Sequence, residues 1–165
     1  MITYYRQNDD IFRKLQEVEI DVSVEKNEYI LEGKIDLLMG KDNKFEILDF
    51  KTMAKPLIAD PIINAYSNQL CLYSYILKER YGKTAERLYI YWTSEKDRND
   101  ALMEFTFSKE QVTQAGNHFN DVVQRIRNRK FTVEKVPNYE KVCEDCDFRY
   151  YCTSAKIINP GKEHN

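Results

Sequence analysis

The sequence lacks a long hydrophobic run, a signal-peptide pattern and an excess of basic residues. The first two absences argue against a membrane-spanning or secreted protein, because a spanning helix needs about 20 apolar residues. With 25 Lys and Arg against 27 Asp and Glu, the formal net charge is −2. This balance excludes a global basic field, so nucleic-acid binding would have to come from a local patch. We expect a cytoplasmic protein.

Internal repeats and low-complexity segments are also absent, whereas 42% of the residues are hydrophobic and 32% are charged. These proportions are typical of a globular protein, and 165 residues suffice for one domain with a hydrophobic core. Apolar periodicity and turn residues predict a mixed α/β sheet covered by helices. The predicted strands are Leu15–Glu25, Tyr29–Met39, Phe45–Thr52, Arg87–Thr93 and Ala101–Phe107, and the predicted helices are Asp60–Tyr81 and Ser108 to about Lys130.

Two of these strands form a predicted β-hairpin that brings two carboxylates together. The connecting residues 40–44 are polar and turn-forming. If the turn is centred between residues 42 and 43, Asp36 lies directly opposite Asp49, with the two Cβ atoms about 4.5–5.5 Å apart. Lys51 shares that face of the hairpin. The opposite, core-facing side is predicted to carry Ile35, Leu37, Leu48 and Phe50.

Paired carboxylates at this distance repel each other unless a cation lies between them, and hard oxygen ligands suit Mg²⁺ or Mn²⁺. The alternative is an ordinary solvated charged face, because D/E-x-K triplets are common and this chain has others at residues 32–34 and 42–44. Asp49 differs from these because it follows an apolar strand segment. In the next helix, Gln69 and Tyr73 are four residues apart and share one face.

Three ordered motifs resemble those of the PD-(D/E)XK nuclease superfamily. They match best with its RecB-like branch, whose pattern runs G-x-I-D, D-x-K-T and Q-x-x-x-Y. The matching residues are Gly33-Lys34-Ile35-Asp36, Asp49-Phe50-Lys51-Thr52 and Gln69-Leu70-Cys71-Leu72-Tyr73. The resemblance runs from about Val18 to Cys152. It implies a restriction-endonuclease-like mixed β-sheet core flanked by helices, and a metal-dependent DNA exonuclease that works with a helicase in repair or recombination.

The resemblance also implies the metal ligands. Asp36 and Asp49 would bind Mg²⁺ or Mn²⁺ together with the backbone carbonyl of Phe50. Glu19, in the preceding strand, resembles an acidic residue often found there in this branch and is the weakest member of the predicted set.

The remaining roles follow from the same resemblance. Lys51 would position or activate the attacking water and stabilise developing negative charge. Gln69 and Tyr73 would support the site and the DNA backbone.

The C-terminal segment carries the triplet Cys143-x-x-Cys146-x₅-Cys152. Such spacing in a cytosolic protein argues for metal binding rather than disulfides. It resembles the triplet of the iron–sulfur nucleases in this branch, where three cysteines and one far upstream hold a 4Fe–4S cluster. The only other cysteine is Cys71, which we expect to be a buried structural thiol. The alternatives are a zinc site with a borrowed fourth ligand and free thiols in a disordered tail.

Because the upstream cysteine ligand is missing, we expect the chain to be a fragment of a longer protein or a truncated family member. It resembles the C-terminal nuclease domain of a UvrD-like helicase. We predict a single domain over residues 1–165, with a core at about 15–130 and a cysteine-containing tail at 131–165. Two other functions remain open at this point. One is an inactive DNA-binding or docking module that retains the nuclease fold, and the other is a zinc-ribbon interaction protein.

Overall fold

The computed structural model of the protein describes residues 7–40, 44–130 and 146–147. The chain divides into two compact units, Met1–Asn120 and Asp121–Asn165. The described elements are α1 (Asp9–Phe12), β1 (Leu15–Glu25), β2 (Ile30–Met39), β3 (Phe45–Lys51), α2 (Pro61–Tyr81), β4 (Ala85–Trp92), α3 (Arg98–Ala101), β5 (Leu102–Phe105) and α4 (Lys109–Arg127).

The five strands form one mixed sheet in the order β1-β2-β3-β4-β5. Neighbouring strands are antiparallel except β3 and β4, which are parallel. Parallel neighbours need a crossover connection, and α2 provides it. The predicted α/β architecture with a mixed sheet and flanking helices is therefore confirmed. No helix in the described part of the chain is long and apolar enough to cross a membrane.

The predicted strand at Ala101–Phe107 needs a correction at its start. Ala101 ends the short helix α3, and β5 begins one residue later. The helical turn forms because the side chain of Asp97 accepts a hydrogen bond of 2.8 Å from the backbone N–H of Asn99. This local capping interaction was not apparent from the alternation of apolar residues.

Helix α2 has clear start and stop signals. The carboxylate of Asp60 accepts a hydrogen bond of 2.9 Å from the N–H of Ile62, and Pro61 occupies the first helical position. The helix ends at Gly82, whose φ of 74° lies in the left-handed region that glycine adopts at low cost. Between these ends the helix buries Leu70, Cys71, Ile76 and Leu77.

Hydrophobic side chains are buried on both faces of the sheet. In β4, Leu88, Ile90 and Trp92 belong to a large cluster that includes the buried face of α2. The alternate residues Tyr89 and Tyr91 belong to a smaller cluster with α1 and α3. Since successive strand residues point to opposite faces, the two clusters lie on opposite sides of the sheet. We call them the α2-side cluster and the α1-side cluster.

The predicted core face of the hairpin is only partly correct. Leu37 and Leu48 lie in the α1-side cluster and Phe50 packs against it, as expected for one face. Ile35, however, belongs to the larger α2-side cluster. The alternation of β2 therefore switches face at Asp36. The neighbouring strand β1 has an irregular backbone at the same height in the sheet, where the φ of Glu19 is 48°. The residues on either side of Glu19 are paired with β2.

Candidate active site

The β2–β3 hairpin has the predicted register but opens at the two aspartates. The paired residues include Leu37 with Leu48 and Leu38 with Ile47, as the predicted turn requires. The ladder of paired residues stops just short of Asp36 and Asp49, which would have formed the next pair. Beyond that point the backbone N–H of Phe50 donates a hydrogen bond of 2.7 Å to Oδ2 of Asp36. The carboxylate of Asp36 thus replaces a backbone partner and is fixed beside the strand that carries Asp49.

Strand β3 holds Asp49 and Lys51 through its parallel pairing with β4. Asp49 is opposite Ile90 and Lys51 is opposite Trp92. The carbonyl oxygen of Lys51 also accepts a hydrogen bond of 2.9 Å from the N–H of Thr93. The backbone of the D-x-K segment is therefore fixed up to its last residue, which positions both side chains on the α2 side of the sheet.

The carboxylate of Asp49 is buried and incompletely satisfied. The residue is only 4% exposed, and its Oδ2 lies 2.6 Å from Nζ of Lys51. No hydrogen bond of acceptable geometry reaches this buried oxygen. Burial raises the pKa of Asp49, the nearby charge of Asp36 adds to the increase, and Lys51 opposes it. Lys51 thus offsets only part of the cost of burying this carboxylate.

A chain of contacts joins Lys51 to helix α2. Its Nζ donates a hydrogen bond of 3.1 Å to Oε1 of Gln69, and Nε2 of Gln69 donates one of 2.9 Å to the hydroxyl of Tyr73. Burial raises the pKa of Tyr73, so its hydroxyl stays neutral. The structure therefore brings four predicted site residues, Asp49, Lys51, Gln69 and Tyr73, into one connected group, with Asp36 joined through the backbone of Phe50.

Glu19 is not part of this group. Its carboxylate accepts a hydrogen bond of 2.8 Å from Nζ of Lys34, and its side chain is 73% exposed. The structure thus supplies no support for the predicted metal-binding role of Glu19. The backbone at this residue has a positive φ, which interrupts the regular alternation from which its side-chain direction was predicted.

A close approach between Gly33 and Tyr73 supports the connected group. A Cβ atom at residue 33 would lie 2.9 Å from Cε1 of Tyr73, which is closer than carbon atoms pack. Glycine here lets the ring of Tyr73 lie directly on strand β2, so that its hydroxyl reaches Gln69. The sequence motif contained Gly33, but this steric role was not predicted.

For the DNA cleavage that the sequence motifs predict, we expect Gly33→Ala to reduce the rate about tenfold, because displaced catalytic groups lose much of their effect. The matched control is Gly82→Ala at the end of α2, where the new Cβ meets nothing within 4 Å but the φ of 74° is unfavourable. Both variants should lose about 1 kcal/mol of stability, one through overpacking and the other through backbone strain. Thermal melts and initial cleavage rates measure the two effects. Full activity in Gly33→Ala would contradict the steric role.

Comparisons with known proteins give the family and the fold of this chain. The sequence profile of the PD-(D/E)XK nuclease superfamily matches residues 1–153. The chain belongs to this superfamily. A "Putative exonuclease" from Eubacterium rectale, whose crystal structure was determined at 2.19 Å resolution, shares the fold of this PD-(D/E)XK chain, with a TM-score of 0.60 and 15% sequence identity. The alignment covers 98% of the present chain and 64% of that structure, so the chain spans less than two thirds of the other protein.

A second crystal structure, that of SSO0001, is also 15% identical, with 93% of the present chain and 66% of the other covered and a TM-score of 0.49. No curated protein matches the sequence.

The superfamily implies a divalent metal ion, and the carboxylates of this PD-(D/E)XK chain fit one. Within the described ranges no three His, Cys, Asp or Glu side chains converge on one point. The candidate ligands are therefore those that the motif implies, namely the carboxylates of Asp36 and Asp49 and the backbone carbonyl of Phe50. Among the described residues, the buried Oδ2 of Asp49 pairs with Lys51 but accepts no hydrogen bond of good geometry, and Asp36 lies close enough to raise the pKa of Asp49. Hard oxygen donors with excess negative charge are the set that Mg²⁺ and Mn²⁺ prefer.

The structure describes two of the four cysteines of this PD-(D/E)XK chain, Cys71 and Cys146. Cys71 is 2% exposed on the buried face of α2, and burial raises the pKa of its thiol. These properties agree with a structural role. Cys146 is partly exposed, with a free thiol. Cys143 and Cys152 lie outside the described residues, so the predicted iron–sulfur site stays a prediction.

Proposed function

We propose that this chain is a divalent-metal-dependent DNA nuclease that hydrolyses phosphodiester bonds. The observation that carries the proposal is the connected group at the open end of the hairpin, in which Asp49 contacts Lys51, Lys51 contacts Gln69 and Gln69 contacts Tyr73. A purely structural ion pair does not require a second carboxylate beside it. Such a second charge raises the pKa of Asp49 and adds to the cost of burying it.

The metal ligands in this proposal are Asp36, Asp49 and the carbonyl of Phe50. A bound Mg²⁺ or Mn²⁺ would supply Lewis-acid charge to the phosphate and lower the pKa of a bound water. Asp36 contributes a carboxylate whose position is fixed by the N–H of Phe50. Asp49 contributes a buried carboxylate, whose Oδ2 also pairs with Lys51.

Lys51 supplies the fixed positive charge of the protein itself. Its ammonium group lies between Asp49 and Gln69, where it can stabilise the negative charge that develops on the phosphate in the transition state. Gln69 orients this ammonium through its carbonyl oxygen, and Tyr73 fixes the amide of Gln69 through its hydroxyl. Each group thus has a partner that limits its conformations before substrate arrives.

The finer parts of the proposal rest on the sequence motifs. The G-x-I-D, D-x-K-T and Q-x-x-x-Y pattern supports a RecB-like, exonucleolytic enzyme that acts with a helicase, in the same polypeptide or complex, during DNA repair or recombination. The triplet Cys143, Cys146 and Cys152 supports a 4Fe–4S cluster completed by a cysteine outside this chain.

Degradation of linear and covalently closed circular DNA tests the proposed activity. We expect Mg²⁺ or Mn²⁺ to support degradation of linear single- or double-stranded DNA, and EDTA to stop it. An exonuclease should leave closed circular DNA intact, because it offers no end. Binding of linear DNA without cleavage under all metal conditions would instead support the inactive binding module.

A further inference from the structure

Tyr66 contacts the predicted catalytic lysine although it belongs to none of the sequence motifs. It lies on α2, three residues before Gln69 and seven before Tyr73, so the three side chains share one helical face. Its ring centroid is 4.7 Å from Nζ of Lys51. This distance is within the range of a cation–π contact between an ammonium group and an aromatic face.

The ring of Tyr66 is held from two sides. Its hydroxyl donates a hydrogen bond of 2.9 Å to Sδ of Met53, in the connection between β3 and α2. Its edge packs against Trp92, with ring centroids 6.5 Å apart and planes at 65°. Trp92 is fully buried and is the strand partner of Lys51 in β4. The aromatic face is therefore fixed relative to the backbone that carries the lysine.

We propose that Tyr66 is a positioning residue that holds the ammonium group of Lys51 in place for phosphodiester cleavage. This inference rests on the proposed nuclease function. The ammonium has three N–H donors. Gln69 accepts one hydrogen bond and Asp49 lies within ion-pair distance. The ring attracts the cation through its face, so it restrains Lys51 without adding a second anion that would neutralise the ammonium charge.

A second tyrosine on the same helix provides a matched comparison. The ring of Tyr75 lies 4.9 Å from Nζ of Lys26, and its hydroxyl accepts a hydrogen bond of 2.8 Å from that ammonium. Lys26 also pairs with Glu79, and the hydrogen bonds and ion pairs seen among the described residues do not link these three to the connected group. Tyr66 and Tyr75 are both half-buried. Loss of the Tyr75 ring should therefore reproduce the general cost of removing a tyrosine from α2 without touching Lys51.

The kinetic test compares Tyr66→Leu, Tyr66→Phe and Tyr75→Leu in the metal-supported DNA cleavage assay. Tyr66→Leu should lower kcat about tenfold with KM changed less than about twofold, since the restraint acts on charge that develops in the transition state. Tyr66→Phe keeps the aromatic face and should stay within about threefold of the wild-type kcat. Tyr75→Leu should melt at a lower temperature but keep its kcat. Equal kcat values for Tyr66→Leu and the wild type would overturn the proposal.

A second readout needs neither metal nor activity. In protein treated with EDTA, the Cε protons of Lys51 should show an upfield ring-current shift in the NMR spectrum, assigned by its loss in Lys51→Arg. The shift should persist in Tyr66→Phe and disappear in Tyr66→Leu. An unchanged shift in Tyr66→Leu would overturn the contact. If the wild type cleaved no DNA, the nuclease proposal would fail, and this shift alone would then support or overturn the positioning of Lys51 by Tyr66.

Discussion

Replacing Asp49 by asparagine is expected to lower metal-dependent DNA cleavage by at least about 1000-fold, because the site loses both an anionic ligand and the partner of Lys51. Asparagine has nearly the same shape as aspartate, so packing around the site is preserved. The effect is measured as the initial rate of degradation of end-labelled linear DNA in Mn²⁺. A variant that kept more than a tenth of the wild-type rate would contradict the role of Asp49.

The same substitution should leave the metal-free fold as stable as the wild type. Burial raises the folded-state pKa of Asp49 above its unfolded value. Such an acid favours folding most below its unfolded pKa, and that contribution is lost as the pH rises through the folded pKa. Above the folded-state pKa the ionised carboxylate therefore costs stability. Asparagine removes this cost but also leaves Lys51 without its ion pair, so we expect a net change within about 1 kcal/mol.

Glu86→Gln is the matched control for the loss of a negative charge. The carboxylate of Glu86 is half-exposed and pairs with Lys44 on the surface. Exposed pairs contribute little, so both the melting temperature and the cleavage rate should stay close to those of the wild type. A loss of activity in Glu86→Gln as large as that in Asp49→Asn would mean that the assay responds to net charge rather than to the site.

The second large effect is expected for Lys51→Met, which should lower kcat about 100-fold through loss of one preorganised positive charge. Methionine keeps much of the aliphatic volume of lysine. Lys26→Met is the matched control, since Lys26 also contacts a tyrosine ring and a carboxylate but lies outside the connected group. We expect Lys26→Met to lose stability and keep its kcat. If the two variants lost activity equally, catalysis would not depend on the position of Lys51.

The hairpin and α2 could be predicted because their signals are local. The polar turn at residues 40–44 and the alternation on both sides of it define one register, which the structure confirms at Leu37 and Leu48. Asp60 followed by Pro61 marks the start of α2, and Gly82 marks its end. The local signals left open which face of β3 α2 covers, and the structure places Asp49 and Lys51 on that face.

The rest of the site depends on tertiary packing that leaves no periodic signal. The switch of face at Asp36 and the positive φ of Glu19 interrupt the alternation from which side-chain directions were predicted. The contact of Tyr66 with Lys51 depends on where α2 lies against β3. Spacing from Gln69 alone could have singled out Tyr66 as a neighbour on the same helical face, although not its approach to the lysine.

The central claim is that Asp36 and Asp49 together form the metal-dependent cleavage site. The most direct test measures the initial rate of linear DNA degradation over a Mn²⁺ titration for the wild type, Asp36→Asn and Asp49→Asn, with EDTA as the blank. The account predicts that the wild-type rate rises with Mn²⁺ and that both variants stay near the blank at every concentration. If the wild-type rate rose with Mn²⁺ and either variant showed the same rise, the claim would be contradicted.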